Sequence, residues 1–352
     1  MLDLIVAGGQ AVLPGGAQAA DIGVVGGRIA VVGAPGSLAG VPTARTLDAT
    51  GKIVVPGGVD PHVHCAFPIT GTGVDTAPPD HVSRAALHGG TTTLIDFVIC
   101  DHGRSLQQAI EARQRARAGA CHCDYGFHLW LSGKVPEAHL AALPEAIQAA
   151  MPASKCSPPT AGRPRPPHGA GRQPVGGVQD HRRRRRDRGD PCRRQRPRHA
   201  HYEKLIREQR VGFEHMAEVH STLSEELSFR RVIGLAEAVP GAALYLMHVS
   251  AATGVAAVAE SRARGFPIYG ETLHQYLLYN QADYRRPNGQ IYHTYPSLKF
   301  PEDQVALWRG TRDGALQCIA TDEVCCPLQV KLHGNRIDDT TGGNAGPSRA
   351  CR

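Results

Sequence analysis

A chain of 352 residues with 41% hydrophobic content can bury a sizeable core, so it holds one large α/β barrel or two ordinary domains rather than a disordered polymer. No apolar run reaches the roughly 18 residues of a membrane span, and Met1-Leu-Asp-Leu-Ile-Val6 lacks the basic start and cleavage site of a signal peptide, so a cytoplasmic protein without membrane association is expected. The formal net charge of +7 is local: residues 151–201 carry 14 of the 39 Lys and Arg against 3 of the 32 Asp and Glu, and the remainder is slightly acidic.

Residues 1–52 contain two short apolar runs, Leu4–Val6 and Asp21–Val32, punctuated by Gly-Gly pairs that suit hairpin turns. They predict a small β unit. The run Ile53-Val54-Val55 then reads as a strand delivering Pro56-Gly-Gly-Val-Asp-Pro-His-Val-His64 into a turn. Alternate side chains on an extended backbone point the same way, so His62 and His64 can reach one cation together, as neutral imidazoles bind zinc at about 2.0–2.1 Å. His-x-His alone is common without a metal, and the context has to decide.

Downstream the pattern alternates strand and helix. Strands are predicted at Thr91–Val98, Tyr125–Leu131, Ala243–Val249, 267–272 and 317–321. Helices are predicted around Pro79–Leu87, Ser105–Ala118, Glu137–Ala150, Leu223–Ala238, 253–264 and 302–313. Such alternation implies parallel strands with crossover helices. Barrel enzymes place their chemistry at the C-terminal ends of strands, and His62, His64, His248 and Asp322 all fall there. Taken singly, His248 suits a core histidine and Asp322 a turn or helix cap. Neither alternative explains why both stand where a ligand is needed. Ten cysteines, including Cys121, Cys123, Cys325 and Cys326, show no Cys-x-x-Cys spacing, and free thiols are expected.

The signature Pro56–His64, with Gly89–Phe97, Leu246–Ser250, Gly270–Leu273, Thr294–Ser297 and Ala320–Glu323 in chain order, resembles the dihydropyrimidinase and D-hydantoinase family of the amidohydrolase superfamily. The match covers most of residues 1–150 and 202–346. The resemblance implies a (β/α)8 TIM-type barrel over 53–346 and a small β-sandwich part over 1–52, both incomplete here. It also implies two zinc ions bridged by hydroxide and a carboxylated lysine, with His62, His64, Lys155, His248 and Asp322 as ligands. Asp322 would serve as general acid and base, and the backbones of Ser297 and Asn344 would bind the substrate ring. The implied substrate is a small cyclic amide, a hydantoin or dihydropyrimidine, and the implied assembly is a tetramer-like homo-oligomer.

The middle departs from that pattern. Residues 152–201 contain nine prolines, the run Arg182–Arg186 and no Leu, Ile, Phe, Tyr, Trp or Met, so they cannot offset their ordering entropy by burial. Disorder is expected there, where the barrel needs strands and the family supplies its lysine and a further histidine. With suitable codons, displaced frames around 153–157 and 190–198 yield Ile-Lys-Met-Phe and Ile-His-Ala-Glu-Asp-Asn, so the stretch reads as translated out of frame. Residues 347–352 read likewise, implying a truncated chain, fewer than two zinc ions and impaired hydrolysis. Two other functions compete. A non-enzymatic scaffold of the same family is disfavoured by the retained ligands, and an Arg-rich nucleic-acid binder by a basic run that interrupts a barrel instead of ending a chain.

Overall fold

Gly-Gly punctuation at the N-terminus separates strands, as the sequence predicts. In a computed structural model, which describes residues 1–69, 72–100, 103–132, 134–148, 153–157, 196–340 and 342–343, β1 (Leu4–Leu13), β2 (Gly16–Val25) and β3 (Arg28–Gly33) form antiparallel neighbours. β4 (Thr46–Asp48) and β5 (Ile53–Val54) both pair in parallel with β1. The β1–β2 register slips between Val6 and Gly9. Gly8 there has φ +72°, and an added Cβ would stand 2.8 Å from Thr50 Oγ1. This bulge turns the Gly8 N–H onto the buried Asp21 carboxylate at 2.9 Å, whose other oxygen accepts the Gly36 N–H at 2.8 Å.

Met1–Gly58 form one compact unit and Val59–Arg352 a second. The boundary corrects the sequence expectation at 52 and the role given to Ile53–Val55. Ile53 and Val54 are edge partners of β1, because Pro56 and Gly57 end that strand before the histidines.

The second unit starts its sheet with β6 (Gly58–Asp60), followed by a short antiparallel ladder of β7 (Pro68–Ile69) and β8 (Val74–Asp75). Next come α1 (Pro79–His88), β9 (Thr91–Cys100), α2 (Leu106–Arg117), β10 (Asp124–Ser132), α3 (Glu137–Gln148) and β11 (Ala153–Ser157). α4 (Arg196–Arg207), α5 (Met216–Val219), α6 (Thr222–Glu237), β12 (Leu244–Leu246), α7 (Ala252–Ala263), β13 (Ile268–Leu273), α8 (His274–Leu278), α9 (Pro301–Arg312), β14 (Cys318–Ala320) and α10 (Leu328–Lys331) complete it. Local chemistry sets several of these boundaries. Ser105 and Gln108 form a capping box at the start of α2, Ser221 caps α6, and Pro301 opens α9.

Strands order as β11-β10-β9-β6 and as β12-β13-β14. A parallel bridge between Val63 and Glu323 links the two groups, with the His64 N–H donating to the Glu323 carbonyl at 2.8 Å. First and last strands thus meet, as closure of a (β/α)8 barrel requires. Leu94, Phe97, Leu129, Ile268 and Leu273 are fully buried along the strands, each contributing about 1.5–3 kcal/mol.

One ionic cluster lies inside this apolar setting. Asp96 on β9 and Arg117 on α2 are both completely buried and ion-paired, and Arg113 bonds the same carboxylate oxygen at 2.6 Å. Arg113 also donates to the carbonyls of Cys65 and Ala66, just beyond His64, so the cluster grips the loop that carries the histidines.

Within 152–201, residues 153–157 form β11 and residues 196–201 lie at the start of α4. The first pair with β10 through main-chain bonds, which need no apolar side chain, and the second begin a helix whose later residue Leu205 is buried. Residues 158–195 and 347–352 lie outside the described residues.

Candidate metal centre

His62 and His64 follow β6 on alternate positions and lie on one side of the chain, both buried. Asp322 follows β14 and faces them across the seam. Its Oδ1 stands 3.0 Å from His62 Nε2 and 3.1 Å from His64 Nε2. Among the described residues these three form the group whose donor atoms converge within 4.8 Å. Two imidazoles and a carboxylate, removed from water, are a donor set suited to a divalent cation such as zinc.

His248 stands beside them, its ring centroid 5.8 Å from that of His62, though outside the converging trio. Lys155 lies on β11 in register with Trp130, whose ring is 5.8 Å from His64. Its side chain is outside the described residues, as is Asn344. Ser297 is buried, its N–H donating to His220 Nδ1 at 3.1 Å and its carbonyl accepting from Lys299 Nζ at 2.8 Å.

His248 and Asp322 have φ of +46° and +49°, values few non-glycine residues adopt. Such strain persists where surrounding bonds over-determine it. The His248 N–H donates to Glu271 Oε1 at 3.2 Å, the Val249 N–H to the Glu271 carbonyl at 2.7 Å, and the N–H groups of Ser250 and Ala251 to Glu225 at 3.0 and 2.9 Å. Asp322 is preceded by Thr321, whose hydroxyl and N–H both bond Asp60.

Electrostatics separate the buried acids. Burial pushes the Asp322 carboxyl up, but the charges and hydrogen bonds of His62 and His64 overcome it and hold the group well below the usual carboxylate range. Glu271 is likewise held down against burial by His62, Tyr245 and His248, and it touches His62 Nδ1 at 2.9 Å and the Tyr245 hydroxyl at 2.7 Å. Asp60 goes the other way. Burial raises it to about 6, with bonds from Thr321 and His62 offsetting only part of the cost.

Glu271 fixes which His62 nitrogen faces Asp322, the usual duty of an outer partner to a metal-ligating histidine. If the trio holds a divalent cation, Glu271→Gln should weaken its binding about 10–100-fold in a competition titration of added zinc against a fluorescent chelator. An unchanged affinity would remove Glu271 from the site. Motif reasoning assigned no role to Glu271, Asp60, His220 or Lys299. Glu271 within the motif Gly270–Leu273 and Asp60 within Pro56–His64 were the available signals.

No protein-family model matches the chain. It is 32% identical over 335 residues to a D-hydantoinase of Streptomyces coelicolor, covering 92% of this chain and 68% of the relative. It is 30% identical over 346 residues to a D-hydantoinase of Geobacillus stearothermophilus, covering 93% and 68%. A D-hydantoinase crystal structure superposes with a TM-score of 0.77 at 26% identity, spanning 100% of this chain and 75% of that one. With sequence and fold shared along most of both partners, the chain belongs to the dihydropyrimidinase and D-hydantoinase family of the amidohydrolase superfamily, the cyclic amidohydrolases.

Proposed function

We propose that this protein opens hydantoins or dihydropyrimidines by zinc-dependent hydrolysis of the ring amide. The convergence of His62, His64 and Asp322 at the seam carries the reading. These three would hold one zinc ion, and His248 with Lys155 would serve a second. Bound zinc lowers the pKa of water toward about 7 and polarises a carbonyl. Asp322, kept ionised by its histidines, takes the proton of the attacking water and returns it to the departing ring nitrogen as the C–N bond breaks. Glu271 orients His62, while Phe97, stacked 4.6 Å from the His64 ring, keeps that side dry. The Ser297 carbonyl, with a second lone pair beyond its bond to Lys299, and Asn344 would position the ring.

Two measurements test this. Phenanthroline should abolish opening of hydantoin and dihydrouracil, and added zinc should restore it. Protein that loads zinc yet leaves every cyclic amide intact would instead be a scaffold. Metal analysis should give fewer than two zinc ions per protomer, because the stretch that would supply the further histidine departs from the family pattern. A full complement of two would show that donors outside the described residues complete the second position.

A further inference from the structure

The loop joining α2 to β10 lies at the N-terminal end of β10, where Asp124 pairs with Thr93 at the start of β9. His62, His64 and Asp322 occupy the opposite, C-terminal ends of strands. Here Cys121 and Cys123, half-buried and free, bring their sulfurs to 3.9 Å. Both sides of the loop are pinned. The Cys121 N–H donates to the Arg117 carbonyl at 3.2 Å, and the His122 N–H to Ser83 Oγ at 3.0 Å. His122 Nε2 also meets Asp80 Oδ1 at 2.6 Å, which turns the imidazole toward α1. No third His, Cys, Asp or Glu converges on the two sulfurs among the described residues, so a caged cation lacks donors.

We propose that Cys121 and Cys123 are a redox-active dithiol that closes to an intramolecular disulfide by exchange with a small-molecule disulfide. The bond needs the sulfurs at about 2.05 Å, within reach of side-chain rotation from their present contact. Cys121 attacks as thiolate, forms a mixed disulfide and expels one thiolate. Cys123 then gives up its proton to that leaving group and attacks the Cys121 sulfur, expelling the second. Two protein thiols and one small disulfide become one protein disulfide and two small thiols. The order follows from the surroundings. The hydrogen bond from Cys123, aided by Ser83 and Arg117 against burial, draws the Cys121 thiol down to about 5. Donating that bond, together with burial and the charges of Asp124 and Cys65, drives Cys123 up.

The test uses the full chain. After incubation with oxidised or reduced glutathione, thiols are blocked with N-ethylmaleimide and the protein is digested with trypsin. Cleavage after Arg117 and Lys134 releases a peptide with no cysteine besides this pair. Oxidised glutathione should leave that peptide unalkylated and lighter by two hydrogens, and reduced glutathione should leave it doubly alkylated. Cys123→Ser should trap glutathione on Cys121. Its Cys121 should alkylate at pH 6 at least about tenfold faster than Cys123 does in Cys121→Ser. Thermal melts of both variants report whether each folds. Full alkylation after oxidised glutathione would overturn the proposal. So would equal trapping on Cys123 in Cys121→Ser, or protection released by a chelator instead of a reductant.

Discussion

Replacing Asp322 by Asn is expected to lower opening of dihydrouracil or hydantoin by about 10²–10⁴-fold, the range that a positioned proton-transfer group supplies. Asn is the informative change because it keeps the shape and tolerates the left-handed backbone, φ +49°, while it cannot carry the proton. It also exchanges the anionic carboxylate that His62 and His64 both face for a neutral amide, a weaker metal donor, so zinc content should fall in parallel. The assay is initial rate at saturating zinc beside metal analysis of the same preparation. Activity within a fewfold of the parent would take Asp322 out of the reaction, whatever its geometry.

The largest stability effect is expected at Asp96. Asp96→Ala leaves Arg117 fully buried and Arg113 mostly buried without their shared carboxylate, a loss of about 3–5 kcal/mol for a broken buried ionic cluster. The exposed Arg230, paired with Glu226 and Glu260 on the surface, provides the control. Arg230→Ala should leave the melt unchanged, since solvent already screens those pairs. Thermal or urea unfolding distinguishes the two. If Asp96→Ala melts like the parent, the arginines have found other partners and the cluster does not hold the histidine loop.

Much of the fold was legible because short-range rules govern it. Apolar periodicity placed α2, β9 and β10 to within a few residues. Ile53–Val54 was assigned to the wrong sheet because a two-residue apolar strand carries no mark of its partner, and here the partner is β1. Of the site, His62, His64 and Asp322 could be found from motif spacing and strand ends. The bonds that aim them could not. Glu271 touches His62 across 209 positions and Thr321 meets Asp60 across 261, and no local pattern encodes a pairing at that range. His220 and Lys299 were hidden for the same reason, each acting on Ser297 from a segment without a recognisable motif.

The seam between Val63 and Glu323 also imposes an order of events during synthesis. The bond from Thr321 to Asp60 cannot form until 261 further residues have followed Asp60, on the order of 13 to 52 s at about 5–20 residues per second. Over the first 209 of those residues His62 has no Glu271 to fix its ring, and over the whole interval neither His62 nor His64 has Asp322 to face. The last strand's arrival closes the seam and converts an open pair of imidazoles into a converging set of three donors.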